Sequence, residues 1–234
     1  MAFLALGLVP ARAPATWSIV AVDPGTRVVG IAGASCIGGV EVIGGLAPDR
    51  GAIAAQALAN LEARDKAVEL LRWGAGPQQV VAHIAQRDFD PPSLRSGSKL
   101  RQYGVVALGF EDALAAFEAQ REDPGATLAD RLMAALEAGA ARGGDKRCSR
   151  ELTALSAFIA VARPDDDPSA PSLRIVVPYA GETDTVTLRL LRQLLFPERG
   201  DAEQNPVTRL RQVYERWRST QAPKASRARE RAQP

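Results

Sequence analysis

Histidine is almost missing from this chain, which holds a single one, His83, in 234 residues. With no histidine pair and no Cys-x-x-Cys, the usual zinc ligand sets are absent, and no metal is expected. A Ser-His-Asp triad would have to use His83. That residue sits in Pro77 to Ile84 (PQQVVAHI), which reads as helix, and a structural or surface role suits it better than catalysis. No apolar run approaches the roughly 20 residues of a membrane helix, so no membrane span is expected. Charge of either sign is not in excess: 29 basic against 27 acidic residues leave +2, too little to argue for nucleic acid. No Walker pattern is present, because Gly33 to Gly39 is not followed by Lys-Ser or Lys-Thr. No internal repeat appears, and nothing calls for a cofactor. Cysteines number two, Cys36 and Cys148, far apart in sequence. In a reducing compartment they are free thiols; in an exported protein they can pair.

What is present is an ordinary globular composition, 46% hydrophobic and 24% charged, enough for one domain. Ahead of it stands Met1 to Ala15 (MAFLALGLVPARAPA), an apolar stretch ending in an A-x-A pattern at Ala13 and Ala15. The stretch reads as a secretory leader whose cleavage would start the chain at Thr16, although no Lys or Arg precedes the apolar part. Export to periplasm or medium favours a Cys36–Cys148 disulfide.

Thr16 to Val22 is expected as a strand, Asp23-Pro24-Gly25-Thr26 as a turn, and Val28 to Ala34 as the returning strand. Val40 to Ile43, Ala52 to Ala57, Tyr103 to Leu108, Ala154 to Ala162 and Leu173 to Val177 are expected as further strands. Arg163 to Ser172 reads as the connection of a hairpin. Helices are expected at Leu61 to Trp73, Pro77 to Arg87, Glu111 to Arg121, Thr185 to Leu195 and Pro206 to Ser219, the last capped by Asn205. Another opens on the capping box Thr127-Leu128-Ala129-Asp130 and ends at Gly143-Gly144. Asp88 to Lys99 reads as a polar loop. From Thr220 the chain is polar and basic, and residues 220–234 are expected to be a disordered tail. Strands and helices come in blocks, as in an α+β fold of packed sheets with helices outside.

Thr16-Trp17-Ser18-Ile19-Val20-Ala21-Val22-Asp23 resembles the T-[FW]-S-I-V-A-x-D opening of domain-of-unknown-function family 1028. Further pieces agree in order: Gly30 to Ser35 (GIAGAS), Ala55 to Asn60 (AQALAN), Arg101 to Val106 (RQYGVV), Leu128 to Leu132 (LADRL), and Gly143 to Arg147 (GGDKR). The resemblance runs from Thr16 to about Val177. It implies an Ntn-hydrolase-like fold, a four-layer αββα sandwich of antiparallel sheets over residues 16–219. The chain departs from the family between Gly109 and Glu111, where a Q-G-N-[IML]-L segment is missing. That loss is on the order of 40 residues, beyond a normal loop change.

An N-terminal nucleophile needs one residue: its hydroxyl attacks a carbonyl and its own α-amine, with a pKa near ~8, takes the proton. That requires Thr16 to be first in the mature chain, and no histidine. Arg147, oriented by Asp145, is the candidate for stabilising developing charge; a structural ion pair is the equal alternative. Ser18 shares a strand face with Thr16 and can touch amine or substrate, or simply be buried. Asp23 can reach the amine, though a turn role suits it better. Gln56 and Asn60 can donate to an oxyanion or cap strand ends, and Ser35 is a further substrate-binding candidate. Two functions stand: an exported hydrolase of an amide or ester, with a small-molecule or peptide substrate, and a non-catalytic envelope or secreted binding protein. Self-association is left open.

Overall fold

The computed structural model describes residues 16–56, 60–86, 102–108, 126–145, 147–148, 152–178 and 205–231. The leader, the helices expected at 111–121 and 185–195, and the polar loop at 88–99 lie outside the described residues.

Strand β1 (Trp17–Asp23) turns into β2 (Val28–Ser35). The turn closes because the Asp23 carboxylate accepts the amides of Gly25 at 3.0 Å and Thr26 at 3.3 Å. β2 also pairs with β6 (Ser156–Ala162), which pairs with β7 (Leu173–Pro178), giving the antiparallel order β1-β2-β6-β7. The Arg163-to-Ser172 segment joins β6 to β7, with Asp166 accepting the amides of Arg163 and Ser172. A second antiparallel sheet has the order β3-β4-β5, from β3 (Gly44–Ala47), β4 (Gly51–Gln56) and β5 (Gln102–Ala107). Helices α1 (Leu61–Arg72) and α2 (Pro77–Gln86) pack on this sheet. Helices α3 (Leu128–Ala141) and α4 (Pro206–Arg231) pack on the first. The fold is α+β, as expected.

Alternation along the strands assigns the faces. Trp17, Ile19, Ala32, Ala34, Ile159 and Val161 pack against Leu132, Met133 and Leu136 of α3 and Leu210 and Tyr214 of α4. The opposite face carries Val22, Val29 and Ala162, which meet Ala52 and Val106 of the second sheet. Ile31, Phe158 and Ala54 continue this interface. The second sheet's outer face puts Ala47, Ile53 and Ala107 against Ala63, Ala67 and Leu71 of α1 and Val80 and Ile84 of α2. The two sheets thus share one apolar interface, and each has helices on its other face.

The capping box forms as the sequence predicts. Thr127 Oγ1 accepts the Asp130 amide at 3.2 Å, and Asp130 accepts the Thr127 amide at 3.0 Å. Asp130 also takes the Tyr214 hydroxyl at 2.8 Å and Arg218 at 2.9 Å, joining α3 to α4. Burial pushes the Tyr214 hydroxyl up to about 12.

Two expectations are corrected. Val40–Ile43 is a 3-10 helix rather than a strand. Gly39 enters it at φ 75, and Val40 and Ile43 are both buried, the three-residue spacing of such a turn rather than alternation. The last helix runs to Arg231 rather than stopping at Ser219. Nine of the twelve added residues are Ala, Arg, Gln, Glu or Lys, which favour helix and continue it past Pro223.

Gly139 sits inside α3, where alanine is normally better by about 1 kcal/mol. Here a Cβ would lie 2.5 Å from the Trp17 indole nitrogen, which donates to the Leu136 carbonyl at 3.3 Å. Gly139→Ala is therefore expected to destabilise, by about 1–3 kcal/mol of overpacking, opposite in sign to propensity. Chemical denaturation of the two proteins measures it.

Candidate functional site

The site is built at the end of the first sheet where β1 begins and β2 ends. The register sets Trp17 across from Ala34 and Ser35 across from Ser156. Thr16, one residue before Trp17, therefore falls beside Ser35, with the two hydroxyl oxygens 2.8 Å apart. By alternation Thr16, Ser18 and Ser35 project from the face that meets the second sheet. From that sheet comes Gln56, at the end of β4, whose Oε1 accepts the Ser18 hydroxyl at 2.7 Å.

The charged part arrives from α3. Beyond its end, Gly143 at φ 100 and Gly144 at φ 54 redirect the backbone, in the left-handed region that glycine tolerates. Asp145 follows, its amide held by the Thr153 carbonyl at 2.9 Å and its side chain fully enclosed. Its carboxylate accepts the amides of Cys36 at 3.0 Å and Arg147 at 3.1 Å, and Arg147 Nε at 2.9 Å. Arg147 Nη2 reaches on to Thr16 Oγ1 and to Ser35 Oγ, 3.2 Å each. Cys36 and Cys148 form a disulfide, with Cα atoms 5.4 Å apart, which fastens the residue after Ser35 to the residue after Arg147.

Burial pushes the Asp145 carboxyl up, but the bond from Arg147, the amides of Cys36 and Arg147, and the guanidinium charge outweigh it. The group is held below the ordinary carboxylate value. The bond to Asp145 in turn raises Arg147, against a smaller opposing effect of burial. The pair is ionised throughout the physiological range.

Ser35 Oγ accepts from Arg147 Nη2 and from the Ile37 amide at 3.3 Å. It has one proton to give, and Thr16 Oγ1 at 2.8 Å is nearer than Asp145 Oδ2 at 3.4 Å. Either hydroxyl can donate across the Thr16–Ser35 pair, and Arg147 Nη2, which also binds Asp145 Oδ2, divides its remaining N–H between the two oxygens. The arrangement can hold a hydroxyl nucleophile and stabilise negative charge on it.

The structure therefore brings together Thr16, Ser35, Asp145, Arg147, Cys36 and Cys148, with Ser18 and Gln56 alongside. It does not bring in Asp23, which is a turn residue seven strand positions from Thr16, about 23 Å away. Asn60 caps α1, accepting the Ala63 amide at 3.0 Å. Sequence reasoning missed Ser156. Fully buried, it donates to the Ile37 carbonyl at 2.6 Å and accepts the Val40 amide at 3.3 Å, fixing the segment that carries the Ile37 amide. Its only signal was a small polar residue opening an apolar strand. At the far end of the sheets a cavity of about 180 Å³ is lined by Arg27, Asp49, Arg50 and Leu71 among others, and these supply no hydroxyl or thiol nucleophile. No group of three or more His, Cys, Asp or Glu suited to a metal ion occurs among the described residues. No helix among them is long and apolar enough to cross a membrane.

Comparison with known proteins gives one family. The family of unknown function DUF1028 matches residues 16–114 and 109–183. A crystal structure of a Silicibacter pomeroyi protein matched by the same family superposes with a TM-score of 0.55, over 86% of this chain and 88% of that chain, at 22% identity. That likeness shows a shared fold. No curated protein matches the chain.

A depressed carboxyl binds fewer protons folded than unfolded, so Asp145 contributes stability above its unfolded value. That contribution is lost as pH falls through the lower folded value. Asp145→Asn is expected to lower the melting temperature at neutral pH and to flatten its decline below about pH 4. Melting curves of both proteins across the acid range test this.

Proposed function

The chain belongs to the DUF1028 family, and on that premise we propose that it is an exported hydrolase of the N-terminal-nucleophile type, cutting an amide or ester through the Thr16 hydroxyl. The observation that carries this reading is the Arg147 guanidinium on Thr16 Oγ1, with Asp145 locked behind it. Helices outside two facing sheets agree with the four-layer αββα sandwich that the family resemblance implies, with Thr16 just before β1.

The leader is removed after Ala15, which turns the Thr16 amide nitrogen into a free amine. That amine, with a pKa near ~8, takes the hydroxyl proton as Oγ1 attacks the substrate carbonyl carbon. The carbonyl π pair becomes an oxyanion. As it collapses, the bond to the leaving amine or alcohol breaks, and the α-ammonium returns the proton to the leaving atom. An ester on Thr16 remains. Water attacks it in a second round, again giving its proton to the amine, and the acid is released. Arg147 stabilises negative charge on the attacking oxygen, and Ser35 and Ser18 hold the hydroxyl row in place. The Cys36–Cys148 disulfide suits an oxidising compartment.

A second reading, a non-catalytic binding protein on the same fold, is favoured by one observation. The two pieces of the family match meet at residues 109–114, where the sequence lacks the Q-G-N-[IML]-L segment.

N-terminal sequencing and intact mass of the protein from its native host test the processing step. A start at Thr16, with a mass two protons below the reduced value, is expected. On a panel of amide and ester substrates, Thr16→Ala should then lose activity by roughly 10³-fold or more while Thr16→Ser keeps a measurable part. A start at any other residue leaves Thr16 without a free amine and ends the hydrolase reading.

A further inference from the structure

We infer that the Cys36–Cys148 disulfide is a redox gate on the site: with the two cysteines reduced, the loop carrying Asp145 and Arg147 comes away from the end of β2, and Thr16 loses its cation. The inference concerns regulation of the Thr16 site, and it rests on the hydrolase reading for its effect on turnover.

Beyond Asp145 the loop after α3 is tied to itself rather than to the sheet. The Arg147 amide goes back to Asp145 Oδ1 at 3.1 Å, and the Cys148 amide to the Asp145 carbonyl at 3.0 Å. Both bonds stay within three residues, so they move with Asp145 and hold nothing in place against β2. The Asp145 amide goes to the Thr153 carbonyl, which precedes β6. At the head of the loop Gly143, at φ 100, stands in open space, where a Cβ would meet nothing within 4 Å.

Among the described residues, the loop meets the end of β2 through a short set of contacts. The Asp145 carboxylate accepts the Cys36 amide at 3.0 Å, and Ser35 Oγ lies 3.4 Å from Asp145 Oδ2. Arg147 Nη2 reaches Ser35 Oγ at 3.2 Å, and Cys36 Sγ lies 3.3 Å from the Asp145 carbonyl oxygen. The disulfide is the covalent member of the set. The contacts of Arg147 start from a side chain that is 39% exposed, where water competes for the same N–H groups. Without the disulfide, Asp145 and Arg147 can withdraw as one ion pair and be hydrated together, leaving no charge unpaired.

Cys36 and Cys148 are each partly exposed, so a thiol can reach the sulfurs. The step is exchange with a dithiol. One thiolate of the dithiol attacks one sulfur of the protein disulfide, and the other cysteine leaves as a thiolate. The second thiol of the reductant then displaces the first cysteine and closes its own disulfide. Two electrons and two protons pass to the protein, and the dithiol is oxidised. A disulfide oxidant drives the reverse. On the exported reading, one journey out of a reducing compartment would supply both the Thr16 amine and the Arg147 latch, and copies kept inside would lack both.

Arginine modification tests the gate without reference to turnover. Oxidised protein from the native host, and the same protein treated with dithiothreitol and freed of excess reductant, are exposed to phenylglyoxal. Peptide mass mapping reads the rate at Arg147, and circular dichroism reports whether each form is folded. Reduction is expected to speed modification of Arg147 by roughly 10-fold or more, as local opening would, and glutathione disulfide should restore the first rate. Cys148→Ser should behave as the reduced protein does. Turnover on the amide and ester panel should fall by roughly 10-fold or more on reduction. An unchanged rate at Arg147 in folded, reduced protein overturns the inference and leaves the disulfide a staple of the fold. Release of Arg147 with undiminished turnover overturns it too. If neither the reduced protein nor Cys148→Ser folds, the bond serves the whole fold and the inference falls. Release of Arg147 with no turnover in either form would sink the hydrolase reading only. Equal turnover in both forms, with Arg147 equally protected, would sink this inference only.

Discussion

A carboxylate with no exposed surface can stay charged only if its bonds are complete, and Asp145 is such a group. Two amides and a guanidinium surround it, and each comes from a segment that the site needs. The Cys36 amide is the exit of β2, and so fixes Ser35. The Arg147 amide and side chain are the loop after α3. Satisfying one buried charge therefore aligns the loop with the sheet, and the guanidinium, bound to Asp145 through Nε and Nη2, reaches Thr16 from the same Nη2. The Cys36–Cys148 disulfide, spanning 112 residues, adds a covalent tie beside the same carboxylate and removes loop entropy from the unfolded chain. Polar satisfaction and cross-link act on one point, so the cation cannot drift from the hydroxyl without exposing an unpaired charge.

The sheet supplies the other half of the geometry. Period-two alternation makes Thr16 and Ser18 neighbours on one face, and antiparallel register sets Ser35 beside Thr16 and Ser156 beside Ser35. Further along the same face the residues are Val20, Val22, Ile31 and Phe158, and these close the inter-sheet space with apolar contact. The inter-sheet contact is thus apolar along its length and polar at its Thr16 end.

Local chemistry was legible in the sequence. The Asp23 turn and the Thr127-to-Asp130 capping box each depend on residues within three or four positions, and each forms as its pattern demands. The shared face of Thr16 and Ser18 was equally legible, since it needs only alternation. Val40 to Ile43 misled because a run of β-branched residues can also be a 3-10 turn. What decided it was Gly39 in the left-handed region and Ser156, 116 residues away, holding the Val40 amide. The Arg147–Thr16 contact spans 131 residues, and no spacing rule reaches that far. Only the family resemblance placed those two residues in one site. Asn60 shows the opposite failure: an amide beside the site in sequence is consumed by a helix cap.

The scarcity of histidine bears finally on where a proton could go. Arg147 is raised further above neutrality and does not exchange protons at physiological pH. Asp145 is held ionised, but the bonds that lower it occupy its oxygens, so it is a weak base. Ser35 can relay a proton but cannot keep one. His83 lies on α2, which packs on the outer side of the second sheet, away from the gap. Among the described side chains around Thr16, none titrates near neutrality with a free lone pair. A hydroxyl nucleophile at this position would need its base from elsewhere, and the nearest group of suitable pKa is the one that cleavage before Thr16 would create. On the proposed hydrolase reading, the cationic and hydroxyl parts lack only a neutral amine, which cleavage before Thr16 would supply.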